Sequence, residues 1–352
     1  MTVTNTDTET ESGTDTETAE ICLTVVLDRL EKTKAEGTFR HRRSNIERFR
    51  DWLMAETDKT LLDVSMRDVQ DHFDEFRRDH PDKTALGRLS GISAFYNCLL
   101  DNEARLREDH GITIDMRENP THGVLEQYQN VDFETKKSRM EDGIVALTRV
   151  EAEKLVKGEN VPDPKTRSQL ILKLFIQTGV RISELCAIRI GDIDREERRI
   201  RVRDKKNDRR RTVFYQPSLE SLLTEWIDYG LRGTYRYADS SDHLFPTSRG
   251  ESISETAVGE TIDKAARSAG IQEKMYEDAS GKPRWRVSAH TLRHTYARFA
   301  VTGDNGIDIA RLAKLLGHRD KEGNPNISTT KKYLAFCDGD LKEASDACIP
   351  DI

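Results

Sequence analysis

Between residues 20 and 105 apolar side chains recur every three or four positions, from 106 to 145 that spacing is lost, and from ALTRVEAEKLV onward it returns. A chain patterned this way folds as helices in two blocks joined by an aperiodic stretch, and 352 residues suffice for two ordinary domains. In the first block Ile46, Phe49 and Leu53 share a helix face, as do Val69, Phe73 and Phe76, and then Leu89, Ile92, Tyr96 and Leu99. Ser65 and Asp68 are spaced as a capping pair ahead of the second of these helices. We therefore expect a small all-helical domain over 21–105 and a linker over 106–145, where Asn119-Pro120 marks a break.

The second block, 146–340, reads as helices around one small β element, followed by a tail over 341–352. SQLILKLFIQTG is an apolar helix stopped by Gly179, and RISELCAI starts another. RRIRV and RTVFY flank RDKKNDRR and read as a two-stranded hairpin with an Asn-Asp turn. Helices are expected in PSLESLLTEWIDYGL, SISETAVGETIDKAARSAG, WRVSAHTLRHTYARFAV, DIARLAKLLGH and ISTTKKYLAF.

Charge narrows the function classes. The formal net charge is −7, awkward for a protein that binds nucleic acid. Residues 1–20 hold six acids and no base, and taking six negative charges from −7 leaves −1 for the other 332 residues. That Thr-rich acidic tail has too little apolar surface to fold and is expected to be disordered. No run approaches the roughly 18 apolar residues of a membrane span. No basic start leads into an apolar stretch, so no secretory signal is expected. Five scattered cysteines without a CxxC pair read as reduced thiols in a cytoplasmic protein, and no metal or cofactor site is expected. A high content of acidic residues with local arginine clusters also fits a host living at high salt.

The chemistry-bearing groups stand at element ends. Arg181 follows the Gly179 break, at a corner that exposes backbone amides. Lys205 and Lys206 sit near the hairpin tip. In AHTLRHTYA, His290 and Arg293 lie three apart and share a helix face, whereas His294 is expected to point away and hold the helix in place. His318 ends the apolar helix LAKLLGH, and Tyr333 follows Lys331 and Lys332. Cleavage of a DNA phosphodiester by a tyrosine hydroxyl uses this collection. Two guanidiniums give forked hydrogen bonds to the non-bridging oxygens, with a geometry lysine cannot match. A lysine or histidine supplies the proton for the leaving 5′ oxygen. The phosphotyrosine keeps the bond energy, so rejoining needs neither ATP nor, in this design, a metal.

Taken in order, TGVRISEL, the lysine hairpin, HTLRHTYA, LLGH and ISTTKKY resemble the boxes of the tyrosine recombinases, the phage-integrase superfamily that includes the Xer-type enzymes. FRHRRSNIERFRDWL and LLDVSMRDV are similar to the helical core-binding domain of that family. The resemblance runs over about residues 25–337. It implies a mainly α fold with a small β-hairpin, a SAM-like N-terminal core-binding domain and an α+β catalytic domain. It implies that Arg181 and Arg293 clamp the scissile phosphate, that His290 and a hairpin lysine handle protons, that His318 supports the phosphate and that Tyr333 attacks. For the lysine, Lys205 is favoured over Lys206. Arg40, Arg42 and Arg43 on the first domain, with Lys206 and Arg209 by the hairpin, are the DNA contacts this implies. The partner would be double-stranded DNA, held by a homotetramer on two sites.

Two departures stand out. RDKEGNPNISTTKK between His318 and Tyr333 is longer than the family's usual spacing, and its RDKEGNP is expected to form a surface loop. Tyr296 is a second tyrosine near the site, expected to pack rather than react. A type IB topoisomerase shares this chemistry, and a non-catalytic DNA-binding relic would lack at least one of the six groups. All six are present.

Overall fold

The computed structural model describes residues 8–80, 82–128, 146–204, 209–277, 282–303, 306–320 and 322–331. The chain divides into two compact units, Met1–Met140 and Glu141–Ile352.

The first unit is helical: α1 (Thr8–Thr33), α2 (Glu36–Glu56), α3 (Met66–Asp79), α4 (Asp82–Asp101), α5 (Glu103–His110) and α6 (His122–Gln127). The apolar positions read from the sequence become its core. Ile46, Phe49, Leu53, Val69, Phe73, Leu89, Ile92, Tyr96 and Leu99 are all buried, with Phe76 packed at the edge. Ser65 and Asp68 cap α3 reciprocally, and Lys59 adds a 2.7 Å bond to the same carboxylate.

Two expectations are corrected here. The acidic start, expected to be disordered over 1–20, is helical from Thr8. Its helix continues from the anchored apolar segment Cys22, Leu23, Val26 and Leu30, and extending a helix from an anchored turn costs far less than nucleating one. The stretch expected to be a linker from 106 belongs to the first unit as far as it is described. Leu106, Ile112, Ile114 and Val124 join the core. Asn119, read as a break, is a buried anchor that donates to Ser93 and Asn97 and accepts from Thr121. Such a segment has no period because its order comes from tertiary hydrogen bonds. Residues 129–145, the remainder of the expected linker, lie outside the described residues, as does the tail over 341–352.

His72 of α3 is buried among Phe49 and Trp52, with ring centroids 5.0 and 4.9 Å away. Burial first, then the charge of Arg88, lowers its pKa to about 4. The unfolded chain therefore binds a proton near pH 6.5 that the folded chain refuses until about pH 4, so stability falls as pH drops through that window. The loss reaches roughly 3 kcal/mol at most, at about 1.4 kcal/mol per pH unit. His72→Phe is expected to flatten thermal unfolding midpoints between pH 7 and pH 4 relative to wild type. Equal acid sensitivity in both proteins would assign the loss to other groups.

The second unit contains α7 (Arg149–Val156), α8 (Lys165–Thr178), α9 (Ile182–Cys186), α10 (Glu220–Leu223, continuing as a π-helical turn over Thr224–Asp228), α11 (Glu255–Ser268), α12 (Ala289–Thr302), α13 (Ile309–Leu316) and α14 (Ile327–Lys331). The two expected strands pair antiparallel as β2 (Arg199–Asp204) and β3 (Arg209–Phe214), with the short β1 (Ile193–Asp194) added along β2, and the expected Asn-Asp turn lies outside the described residues. A second antiparallel pair, β4 (Lys274–Glu277) and β5 (Pro283–Trp285), was not legible because its strands are short and strongly polar. The core gathers α8, whose Leu170, Ile171, Leu172, Leu174 and Phe175 are buried, against α12 and the inner face of the sheet, Ile200, Val202 and Val213.

Candidate active site

Gly179 ends α8 with φ at +60°, a conformation glycine adopts without the clash a Cβ brings. The chain turns there and starts α9 three residues later, with Arg181 as its N-cap residue. Glu184, buried in α9, reaches back to Arg181, accepting from its backbone N–H at 2.7 Å and from Nη1 at 3.0 Å. Arg181 remains half-buried and also lies 3.8 Å from Asp204 at the end of β2.

Ser288 caps α12 by accepting from the Thr291 N–H, which fixes the turn that carries His290. One helical turn on, Arg293 is buried with only 2% of its surface exposed, so its charge is held almost wholly inside the protein. Its guanidinium donates to the Gly179 carbonyl, to the Leu316 carbonyl and, at 3.1 Å, to Nε2 of His318. Residues 114 and 25 positions away along the chain thus meet at one side chain.

The tautomer of His318 follows from its other nitrogen. The Thr330 hydroxyl donates to the Asn326 carbonyl at 2.7 Å, so at 3.0 Å it accepts from Nδ1–H of His318. Nε2 is then an acceptor facing Arg293. Burial, followed by the charges of Arg293, Arg181 and Arg211, lowers the His318 pKa to about 3. The ring is neutral near pH 7.

Sequence reading passed over three members of this cluster. Arg211 on β3 donates to both oxygens of Glu184 and, at 2.7 Å, to the Leu315 carbonyl. The signal was alternation: Arg211 stands opposite Val202 and two residues before the buried Val213, so an arginine occupies an inward-facing register position. Glu184 stood three residues after Arg181, the spacing of a capping carboxylate. Thr330 was visible only as one letter of STTKKY. Burial alone would raise the Glu184 pKa, but hydrogen bonds and charge from Arg211, and then from Arg181, outweigh it and hold the group below its usual value.

His290 is exposed at the start of α12. His294 does not point away from it, as the sequence suggested. The two rings meet edge to face with centroids 4.4 Å apart, because positions four apart share a helix face, and His294 is the buried one. Tyr296 packs its ring over Gly179, and burial raises its pKa while Arg211 and Arg293 partly oppose that rise. A hydroxyl held protonated in this way is a poor nucleophile. The RDKEGNP stretch is a closed loop, with Arg319 bridged to Pro325 and Asp320 accepting from the Asn324 N–H at 2.7 Å. Lys205, Lys206 and Tyr333 lie outside the described residues.

An open cleft runs over this cluster, lined by Arg181, Arg209, Arg210, Arg211 and Arg319, with His318 at its floor and Asp204, Asp320 and Glu322 among its walls. Five guanidiniums against three carboxylates suit an anion of modest charge density. On the first unit, Arg40 pairs with Glu36 and Arg43 with Glu47, one turn away on the same helix, whereas Arg42 is half-buried. Among the described residues no group of three His, Cys, Asp or Glu side chains is arranged to hold a metal ion, and no helix is long and apolar enough to cross a membrane.

The second unit of this mainly helical chain thus carries an arginine-rich open cleft, with Arg181, Arg211 and His318 in its lining. The profile of the phage integrase family matches residues 146–337, and the chain belongs to that family. It is 35% identical over 202 residues to tyrosine recombinase XerA of Pyrococcus furiosus, a match that covers 56% of this chain and 60% of that one. Against tyrosine recombinase XerC of Corynebacterium glutamicum it is 30% identical over 184 residues, 52% of this chain and 51% of the relative. The chain thus spans about half to three fifths of the length of these relatives. Among solved structures it shares its fold with the XerH site-specific recombinase bound to its difH substrate, with a TM-score of 0.58 and 17% identity over 92% of this chain and 83% of that one. A lambda integrase tetramer bound to a Holliday junction gives a TM-score of 0.57 at 17% identity, covering 91% and 79% of the two chains.

Proposed function

We propose that this chain is a site-specific recombinase that cleaves and rejoins double-stranded DNA through a 3′-phosphotyrosine formed on Tyr333. The observation that carries this reading is the bond between His318 and Thr330. Tyr333 follows Thr330 by three residues, a stretch of chain that spans at most about 11 Å. In this reading the tyrosine works close in sequence to the threonine that holds His318, the histidine to which Arg293 is bonded.

In this reading Arg181 and Arg293 hold the non-bridging oxygens, and the Tyr333 oxygen attacks phosphorus as its proton passes to His290 or to water. The bond to the 5′ oxygen breaks, and that oxygen takes a proton from Lys205 or from His290. Attack by a 5′ hydroxyl runs the sequence backwards and releases the tyrosine. Fixed donors aimed at the developing charge supply the main acceleration. His318, neutral with Nε2 facing Arg293, sets that guanidinium by accepting from it. Arg40, Arg42, Arg43, Lys206 and Arg209 contact the duplex backbone, with Arg209 on the cleft wall. Arg40 and Arg43 exchange their own-helix carboxylates for phosphates on binding, an exchange between exposed ion pairs that are individually weak. Four copies on two sites are the working assembly, a number matched by the lambda integrase tetramer bound to a Holliday junction. A net charge of −7 fits a protein kept soluble at high salt, and DNA binding that persists in molar salt is the corresponding test.

The decisive experiment incubates the protein with nicked duplexes drawn from its host's mobile elements, which trap covalent intermediates. A protein–DNA adduct is expected with wild type and none with Tyr333→Phe. An adduct that persists in Tyr333→Phe would disprove this nucleophile. DNA binding without any adduct would favour the relic.

A further inference from the structure

We propose that Arg211 is a positioning residue of the phosphate site, one that keeps Arg181 available to phosphate by neutralising Glu184. The inference rests on the reading of this cleft as a phosphate site and deepens it. Glu184 is 1% exposed and already accepts from Arg181 twice, through the backbone N–H and through Nη1. With only those partners, a buried carboxylate and a single guanidinium would form a closed neutral pair. Phosphate would have to compete with that carboxylate for the same donors, and the buried anion left behind would oppose the exchange.

Arg211 changes the balance. Its guanidinium reaches both Glu184 oxygens in a forked arrangement, so the buried carboxylate is shared between two cations, and Arg181 is left facing, among the described residues, only the more exposed Asp204 at 3.8 Å. The same side chain is 8% exposed and donates through Nε to the Leu315 carbonyl, so it is fixed at both ends. It also lies under the turn that presents His318. Gly317 has φ at +71°, and a Cβ there would stand 3.1 Å from the Arg211 Cδ. One arginine thus ties β3, α9 and the end of α13 together, and with them two of the groups assigned to the phosphate.

The test uses the whole chain and orthovanadate as the phosphate probe, with binding followed by vanadium NMR line width and fold stability by urea unfolding. Arg211→Met is expected to weaken vanadate binding by about tenfold or more, the loss expected when a charge-assisted network is broken. Adding Glu184→Gln to that variant removes the unbalanced carboxylate without restoring any packing, and is expected to recover most of the affinity. Arg211→Lys, which keeps the charge but not the fork, is expected to fall between. A double variant that binds no better than Arg211→Met, or an Arg211→Met that binds like wild type, would overturn the proposal. Wild type that does not bind vanadate would overturn the phosphate-site reading itself.

Discussion

Arg293→Ala is expected to abolish strand cleavage and to destabilise the second unit at the same time. The guanidinium satisfies the Gly179 and Leu316 carbonyls and bonds to Nε2 of His318. Removing it leaves buried acceptors without donors, each worth about 1–3 kcal/mol, although ending the burial of a charge returns part of that. A net loss of about 2–4 kcal/mol is expected in urea unfolding. The chemical loss is larger. Removing one fixed donor to developing charge costs about 10²–10³ in rate, and the forked guanidinium supplies more than one. Arg293→Lys separates the two effects. It keeps a cation and much of the volume, so stability is expected to recover in part, while cleavage of a nicked substrate stays at least about 10³-fold down because an ammonium cannot span the same partners. Cleavage near the wild-type rate in Arg293→Lys would contradict the forked role.

Gly179→Ala is the second large effect, and it acts through the backbone. An L residue at a φ of +60° costs about 1–2 kcal/mol. The new Cβ would also stand 2.3 Å from Cδ1 of Tyr296, a distance no real contact shows, so the ring has to move. Because Tyr296 is packed where Arg293 reaches the Gly179 carbonyl, the displacement reaches the site directly. A total loss of about 3–5 kcal/mol is expected, with cleavage impaired beyond what unfolding explains. Adding Tyr296→Ser opens room for the Cβ and is expected to return the packing share, leaving the cost of the backbone conformation. If the double variant is no more stable than the sum of its two single changes predicts, the clash is not the cause.

How far the sequence alone reached can be judged from particular residues. The core positions of α2, α3 and α4 follow from a spacing that one helix imposes on its own neighbours, and the structure buries them. The Ser65–Asp68 cap lies within four residues and was legible for the same reason. The order of reactive groups, from Arg181 to Tyr333, was also there to be read, because residue type decides what chemistry a side chain can perform. Local period was silent on the segment around Asn119, which is ordered by hydrogen bonds to another helix. Helical period itself sets His294, four residues on, beside His290, and the expectation that it points away is corrected by their rings meeting.

Only the tertiary structure decided which of these groups touch. Arg293 meets a carbonyl 114 positions earlier and a histidine 25 positions later. The protonated nitrogen of His318 is set by a threonine that nothing in its neighbourhood singles out. The partner that shares Glu184 with Arg181 comes from a strand whose arginine-rich letters look like surface. The reason is physical. Dihedral preferences and helical or strand period act over a few residues, so a sequence by itself determines elements, their buried faces and an inventory of reactive side chains. A buried charge must be matched wherever it ends up, and that requirement selects partners from across the chain only once the elements have packed.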